Sequence, residues 1–285
     1  MAAKKVWLIT GCSSGLGHEI ATAALERGDI VVATARDPAK LGDLAGKGAI
    51  TERLDVTASD ASLAATVSSI AAKAGGRIDI LVNNAGYILA GAVEECSRDE
   101  VRAIFETNVF GQLNMLRAVL PVMRKQRSGV VANLGSIGGW HGSPAAGLYC
   151  ATKACATVLA ESLRSEAAHL GIQVTAVEPG YTRTNFLAPG HKTRAEKVIE
   201  DLREGVDPTL DALGAYSYKQ PGDPAKAAKL IVEALTGSGR CAGRELPDRL
   251  LVGKDAYEIV GGYMEAHQQS MKLWEDLATA TNCDD

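Results

Sequence analysis

Short apolar runs alternate with longer helical patterns over the first 180 residues, and this alternation restricts the fold more than any other sequence feature. The runs that predict strands are Val6–Thr10, Ile30–Ala35, Ala49–Asp55, Ile78–Asn83, Gly129–Leu134 and Ile172–Glu178. Four of them are almost entirely apolar, which is typical of parallel strands covered by helices on both faces. The sequence therefore predicts an α/β fold of Rossmann type, with a doubly wound parallel β-sheet.

Helical spacing of apolar residues predicts the elements between these strands. They are Gly15–Arg27, Leu63–Ala74, Asp99–Lys125 and Ala151–Leu170. The region from Arg183 to Gln220 departs from this pattern, because it carries Pro189, Pro208 and many charges with weak periodicity. A helix is expected from Pro224, a last strand at Arg249–Val252, and an amphipathic helix from Asp255 into the 270s. Without a linker or repeat, residues 1–285 are expected to form a single domain.

Composition excludes several classes of protein. The net charge of −4 gives no electrostatic attraction to nucleic acid. No apolar segment approaches the roughly 20 residues of a membrane span, so we expect no membrane association and a cytoplasmic location. The six cysteines show no CxxC pair and the five histidines no HExxH grouping, which predicts reduced thiols and no metal site.

A glycine-rich turn follows the first predicted strand and opens the first predicted helix, in the sequence Thr10-Gly-Cys-Ser-Ser-Gly-Leu-Gly17. Glycines at 11, 15 and 17 allow a tight turn, close backbone approach to a pyrophosphate and close packing of helix on sheet. The free N–H groups and positive helix end then face the phosphates. The turn predicts a dinucleotide site, although a tight turn without a ligand is an alternative.

The end of the second predicted strand bears on which dinucleotide is bound. An acidic residue there would accept hydrogen bonds from the ribose hydroxyls of NAD and repel a 2′-phosphate. This chain has Ala35 and then Arg36, with Ser14 available in the glycine turn. Because a guanidinium can bind phosphate through paired hydrogen bonds, the sequence favours NADP(H); a solvated Arg36 is the alternative.

Tyr149 and Lys153 lie four residues apart at the start of a predicted helix, thirteen residues after Ser136. Positions i and i+4 share a helix face, so both side chains can address one site. Since a nearby cation favours phenolate, we expect Lys153 to lower the pKa of Tyr149 toward the range needed for proton transfer. Taken alone, such a pair is more often packing and surface than catalysis.

These motifs together resemble the short-chain dehydrogenase/reductase superfamily, and the resemblance covers nearly the whole chain. The elements occur in family order, namely TGxxxGxG at Thr10–Gly17, NNAG at Asn83–Gly86, the helix asparagine at Asn108, the serine at Ser136, YxxxK at Tyr149 and Lys153, and PGxxxT at Pro179–Thr184. The apolar rim and C-terminal extension resemble the branch of 17β-hydroxysteroid and retinol dehydrogenase-like enzymes.

The resemblance implies four catalytic residues. Tyr149 would donate a proton to, or accept one from, the reacting oxygen, and Ser136 would hydrogen-bond that oxygen. Lys153 would contact the nicotinamide ribose, and Asn108 would hold a water that relays protons to solvent. The implied cofactor-binding residues are Gly11, Ser13, Ser14, Gly15, Leu16, Gly17, Arg36, Asp55, Val56, Asn83, Ala85, Gly86, Tyr149, Lys153, Pro179, Gly180, Thr182 and Thr184. Asp55 would contact the adenine; Asn83 could instead join adjacent strands.

The resemblance also implies a substrate lid over about residues 183–222. Trp140 and His141 would rim the pocket with Tyr181 and Phe186, although Trp140 could simply pack and His141 could be a surface hydrogen-bonder. The implied reaction is NADPH-dependent reduction of an apolar ketone or aldehyde. A 3-oxoacyl thioester reductase and a non-catalytic NADP-binding regulator are alternatives. A homodimer or homotetramer is expected through the helices near Asp99–Lys125 and Ala151–Leu170.

Overall fold

Seven parallel strands form the central sheet of the chain, seen in a computed structural model that describes residues 4–188 and 191–283. The strands, in chain order, are β1 (Val6–Ile9), β2 (Ile30–Ala35), β3 (Ile50–Arg53), β4 (Ile80–Asn83), β5 (Ile88–Ala90), β6 (Gly129–Leu134), β7 (Ile172–Pro179), β8 (Lys192–Arg194) and β9 (Arg249–Val252). The central sheet has the order β3-β2-β1-β4-β6-β7-β9, and β5 pairs with β8 in a separate ribbon. The order reverses direction beside β1 and β4, which is where ligands bind in such sheets.

Helices cover both faces of this sheet, as the apolar strand runs predict. The helices are α1 (Gly15–Glu26), α2 (Gly42–Gly46), α3 (Asp60–Lys73), α4 (Arg98–Phe105), α5 (Gly111–Gln126), α6 (Gly147–Ala167), α7 (Arg203–Ala215), α8 (Pro224–Thr236) and α9 (Lys254–Thr279). One core lies between the sheet and α1 with α8, and the other lies between the sheet and α3, α5 and α6. The predicted doubly wound fold is confirmed.

The predicted helix Asp99–Lys125 is continuous, but a π turn at Glu106–Phe110 joins α4 to α5. A π turn inserts one residue into the helix and changes the direction of the following side chains. This turn carries Asn108, which is fully buried. The irregularity therefore sets the position of a residue that the sequence assigns to catalysis.

The segment between Arg183 and Gly222 is more regular than the sequence predicts. It contains β8 and the 13-residue helix α7, although Pro208 lies inside that helix. Leu213 of α7 packs in a cluster with Ile88, and Val206 packs with Ala92 and Ala145. Tertiary packing stabilises the helix that local sequence disfavours. Pro189, part of the predicted irregular region, lies outside the described residues.

Candidate active site

The glycine turn between β1 and α1 is fastened to the chain that follows β4. Thr10 Oγ1 accepts hydrogen bonds from the backbone N–H groups of Asn84 and Ala85, each at 3.0 Å. Asn84 Nδ2 in turn donates to the carbonyl oxygens of Thr10 and Gly11 at 2.9 and 3.0 Å. A Cβ at Gly17 would collide with this amide, so glycine is needed for α1 to pack here.

The same turn leaves backbone donors available to an anion. Gly11 and Gly15 have φ values of +70° and +63°, a region that L side chains rarely adopt. Ser14 is the N-cap of α1, but its hydroxyl makes no hydrogen bond to the helix. The first N–H groups of α1 have no helical partner, so they suit a pyrophosphate. Ser13 and Leu16 lie half-buried in the same turn.

Arg36 lies exposed at the carboxyl end of β2, beside the glycine turn. The two elements are joined by the bond from Cys12 N–H to the Thr34 carbonyl, at 2.9 Å. Among the ion pairs of the described residues, Arg36 has no carboxylate partner, which leaves its guanidinium available to an anionic ligand.

The residues after β3 are held by local contacts. Asp55 Oδ1 accepts hydrogen bonds from the N–H and the hydroxyl of Thr57, at 3.0 and 2.8 Å. Val56 is buried against Gly111 at the start of α5. The structure thus places Asp55 at the sheet edge, and its contact with adenine stays a prediction.

Of the residues at the end of β4 and just after it, Asn83 joins two strands and Gly86 lies beside the predicted catalytic residues. Asn83 is 1% exposed, and its Nδ2 donates to Asn133 Oδ1 at 3.0 Å, joining β4 to β6. Asn83 thus makes the predicted strand-joining contact, and its place in the cofactor pocket stays a prediction. A Cβ at Gly86 would lie 3.0 Å from Asn108 Oδ1 and 3.8 Å from Lys153 Nζ. Gly86 thus leaves space beside the predicted catalytic residues.

Ser136, Tyr149 and Lys153 come together at the carboxyl end of β6. Ser136 follows β6 and lies beside Tyr149, which is in the first turn of α6; a Cβ at Gly138 would lie 3.5 Å from Ser136 Oγ and 3.7 Å from Tyr149 Cε1. One turn later, Lys153 Nζ lies 5.7 Å from the centre of the Tyr149 ring and donates to the Leu134 carbonyl at 2.7 Å. The spacing YxxxK therefore places both groups at one site.

Burial, not charge attraction, dominates the pKa values of this pair in the polypeptide. Burial raises the pKa of Tyr149, and the Ser136 hydrogen bond opposes that change. The prediction that Lys153 lowers the pKa of Tyr149 is wrong for the chain by itself, because its ammonium is directed at Leu134. Burial also lowers the pKa of Lys153 from 10.5 to about 8.

Asn108 is fixed by three hydrogen bonds from the π turn. Its Nδ2 donates to the Tyr87 carbonyl at 2.9 Å and to Thr152 Oγ1 at 3.1 Å, while its Oδ1 accepts from the Tyr87 N–H at 3.1 Å. Thr152 precedes Lys153 on α6, so these bonds position the π turn against the catalytic helix. The water-holding role of Asn108 stays a prediction.

The buried Lys153 ammonium is expected to destabilise the folded chain. Since the folded-state pKa is about 8 and the ordinary value is 10.5, the unfolded state binds more protons between these pH values. The cost, about 3 kcal/mol, is complete below about pH 8 and falls as the pH rises toward 10.5. Lys153→Met should therefore gain about 2 kcal/mol at neutral pH, after loss of the Leu134 bond.

Urea unfolding of the cofactor-free chain, measured from neutral to alkaline pH, checks this expectation. The Lys153→Met advantage should shrink as the pH rises, whereas the exposed control Lys229→Met should show no such trend. A Lys153→Met chain that is no more stable than the original at neutral pH would contradict the prediction.

The segment after β7 is fastened to the C-terminal helix. Asp255, in the first turn of α9, accepts a hydrogen bond from the Tyr181 N–H at 2.7 Å. A Cβ at Gly180 would collide with the Asp255 carboxylate, so this glycine permits the contact. Thr182 forms a β-bridge with Gly222. The predicted Pro179–Thr184 element is thus held at the carboxyl edge of the sheet.

Thr184 lies next to the glycine turn. Its Oγ1 accepts a hydrogen bond from the Phe186 N–H at 3.3 Å. A Cβ at Gly15 would lie 3.8 Å from Thr184 Cβ and 3.6 Å from Asn185 Oδ1. The two predicted cofactor elements therefore lie next to each other, and their contacts with a dinucleotide stay a prediction.

The predicted substrate residues separate into two groups. Trp140 Nε1 donates to the buried Glu178 carboxylate at 2.8 Å, and the Arg249 guanidinium lies 4.2 Å from its ring centre. The His141 ring lies 5.8 Å from that of Tyr263 on α9. Both side chains have protein partners, which favours packing for Trp140; their place at the rim of the substrate pocket stays a prediction.

Phe186 and Tyr181 lie on the side of the catalytic tyrosine. The Phe186 ring is 5.9 Å from the Tyr149 ring, within an apolar cluster that includes Leu187 and Leu213. Tyr181 stacks edge-on against Tyr216 just after α7, with ring centres 5.2 Å apart. The segment that follows β7 thus places apolar side chains over Tyr149.

Glu178, which is fully buried at the end of β7, is a site residue that was not predicted from the sequence. Thr157 Oγ1 donates to it at 2.8 Å, so it links α6 to the Trp140 loop behind Ser136. Burial raises the pKa of Glu178, while the Thr157 and Trp140 bonds and the Arg249 charge lower it. The signal available in the sequence was that Glu178 is the single charged residue in the strand Ile172–Pro179.

Within residues 4–188 and 191–283, no three histidine, cysteine or acidic side chains are grouped as metal ligands would be. The described helices include none with the length and apolar character needed to cross a membrane.

The chain is similar to known proteins in both sequence and structure. Residues 5–195 match the short chain dehydrogenase family. Oxidoreductase BOA17 of Botryotinia fuckeliana is 36% identical over 281 residues, covering 97% of this chain and 99% of that protein. A short-chain dehydrogenase crystal structure from Streptomyces avermitilis is 38% identical, with a TM-score of 0.87 and coverage of 98% and 99%.

Solved structures with bound cofactors contain both nicotinamide dinucleotides. A Burkholderia phymatum short chain dehydrogenase/reductase in complex with NAD is 24% identical, with a TM-score of 0.77 and coverage of 99% and 97%, and so supports the fold. ElxO with NADP bound is 25% identical, with a TM-score of 0.70 and coverage of 90% and 100%. With its family match, its sheet order and its Ser136–Tyr149–Lys153 cluster, the chain belongs to the short-chain dehydrogenase/reductase family of oxidoreductases.

Proposed function

We propose that this oxidoreductase uses NADPH to reduce an apolar ketone or aldehyde to an alcohol. The observation that carries the proposal is the meeting of Ser136 and Tyr149 beneath an apolar cluster with Phe186. The cluster suits an uncharged, hydrophobic substrate, because apolar side chains exclude water from the carbonyl that reacts. A hydrophobic substrate would agree with the resemblance to the branch of 17β-hydroxysteroid and retinol dehydrogenase-like enzymes.

The residues of the chain divide the proton chemistry between them. When bound, the reduced nicotinamide supplies a hydride to the carbonyl carbon. Ser136 then donates a hydrogen bond to the carbonyl oxygen, and Tyr149 transfers its phenolic proton to that oxygen as negative charge develops there. Lys153, still largely protonated below about pH 8, would contact the nicotinamide ribose, and together with the positive charge of the oxidised nicotinamide it would favour the tyrosinate that is left, which the polypeptide by itself does not.

The residues around the glycine turn fit NADP. The start of α1 can hold the pyrophosphate, while Arg36 and the Ser14 hydroxyl can meet a phosphate on the adenosine ribose. Asp55 would contact the adenine, and Ala85 and Gly86 would line the groove. Thr182 and Thr184 would face the nicotinamide end. Residues about 183–222 would act as a lid over the substrate.

A panel of carbonyl compounds tests the proposed activity. We expect NADPH oxidation with uncharged ketones and aldehydes, with kcat/KM increasing with apolar size, and lower rates with NADH. The decrease in cofactor absorbance is the measurement, and Tyr149→Phe is the inactive control. Faster turnover of a 3-oxoacyl thioester, or cofactor binding with no turnover of any compound, would contradict the proposal.

Location and assembly stay predictions. We keep the cytoplasm as the expected compartment. A homodimer or homotetramer through α5 and α6 is the expected assembly, for which light scattering of the purified chain is the direct measurement.

A further inference from the structure

His191 connects the segment that follows β7 to the glycine turn. Its Nε2 lies 3.1 Å from Ser14 Oγ and 3.3 Å from Asn185 Nδ2. The backbone of His191 is fixed as well, because its carbonyl accepts a hydrogen bond from the Ile88 N–H at 3.1 Å. The imidazole is therefore placed directly against the N-cap residue of α1.

The contacts of Nε2 are compatible with the neutral ring of His191. The single lone pair of an unprotonated Nε2 can accept from the Ser14 hydroxyl or from the Asn185 amide, and a protonated Nε2 can donate to Ser14 Oγ instead. The contact with Ser14 is therefore available in both charge states of the ring.

The charged groups that act on this ring are both positive. Burial lowers the pKa of His191 most, followed by the charges of Lys40 and Arg36 from the loop after β2. The other neighbours, Ser14, Asn185 and the Ile88 backbone, are uncharged. Among the ion pairs of the described chain, neither Arg36 nor Lys40 has a carboxylate partner.

The charges of Arg36 and Lys40 thus act on His191, which contacts Ser14, and neither cation is in an ion pair within the described chain. Arg36 and Lys40 repel the imidazolium form, so the ring stays neutral until an anion enters. A phosphate with close to two negative charges would reverse that repulsion, since opposite charges favour the protonated ring. The arrangement is suited to a phosphate monoester that arrives at the end of β2.

We propose that His191 is a specificity-determining residue that takes up one proton from solvent and, with Arg36 and Ser14, binds the phosphate monoester on the adenosine ribose. The inference rests on the NADP preference proposed above and names a further residue that would produce it. In this role His191 also links cofactor choice to the position of the segment that covers Tyr149. A cofactor without the 2′-phosphate would leave the ring neutral.

His191→Gln provides the test, because glutamine can still hydrogen-bond Ser14 but cannot become positively charged. Binding of NADPH and of NADH would be measured by isothermal titration calorimetry at pH values of about 6.5 and 8, around the ordinary histidine pKa. For the unmodified chain we expect the affinity ratio of NADPH to NADH to rise about fivefold at the lower pH. In His191→Gln the ratio should be lower and nearly independent of pH.

The exposed His169→Gln is the matched control and should behave as the unmodified chain. Calorimetry in buffers of different ionisation enthalpy adds a second readout, since NADPH binding should take up more protons in the unmodified chain than in His191→Gln. Equal weakening of both cofactors, or an unchanged pH dependence in His191→Gln, would overturn the proposal. Arg36→Ala distinguishes failure of the proposed NADP preference from failure of the His191 proposal. If Arg36→Ala changes the ratio of NADPH to NADH affinity and His191→Gln does not, only the role of His191 is refuted.

Discussion

Replacing Tyr149 by phenylalanine is expected to lower kcat for carbonyl reduction by about 10³-fold, with little change in cofactor affinity. General acid catalysis by a positioned side chain contributes roughly 10²–10⁴-fold, and this substitution removes the proton and its partner for Ser136. The ring itself stays, so its packing 5.9 Å from Phe186 should persist. Steady-state kinetics and the Kd for NADPH together measure the effect.

Tyr257→Phe is the control for this substitution, because that tyrosine is 65% exposed on α9. It should leave kcat unchanged. If Tyr149→Phe retained activity within about tenfold of the original, another group would have to supply the proton. The assignment of Tyr149 would then be refuted.

Arg36→Ala is expected to weaken NADPH binding by about 10–100-fold and to leave NADH binding nearly unchanged. A hydrogen bond to a charged group contributes roughly 1.5–3 kcal/mol, and each 1.4 kcal/mol corresponds to about tenfold in affinity. Because Arg36 is exposed and has no carboxylate partner within the described residues, its removal should not disturb the fold. Fluorescence titration with each cofactor gives both Kd values.

Arg124→Ala serves as the matched control, since Arg124 is an exposed arginine near the end of α5. It should change neither Kd. Losses of similar size for NADPH and NADH in Arg36→Ala would show that Arg36 contacts a part common to both dinucleotides. The inferred preference for NADP would then be wrong.

Much of the fold follows from burial that is visible in the sequence. The strands Ile30–Ala35 and Gly129–Leu134 have the predicted bounds, because parallel strands covered on both faces are mostly apolar along their length. The helix α7 and the β5–β8 ribbon were not predicted. Both are stabilised by contacts between distant segments, such as Leu213 with Ile88, and no local pattern records such contacts.

The site shows the same division. Tyr149 and Lys153 could be predicted to be neighbours, because residues four positions apart lie on the same face of any α-helix. The pKa of Tyr149 could not be predicted from the sequence. It depends on the burial of the ring near Phe186 and on the direction of Lys153 Nζ, and both are set by the folded chain. Trp140 and Glu178 are 38 positions apart in the sequence. Only the folded chain shows that the indole N–H of Trp140 is hydrogen-bonded to Glu178.

The two ends of the segment that covers Tyr149 meet at one point. Thr182 pairs with Gly222, and the Arg183 N–H donates to the Gly222 carbonyl at 2.8 Å. Residues between these ends can be lengthened, shortened or exchanged without altering the register of any strand in the central sheet. Evolution, or an engineer who grafts the corresponding segment from a relative, can therefore change which molecules enter while the proton-transfer machinery is inherited intact.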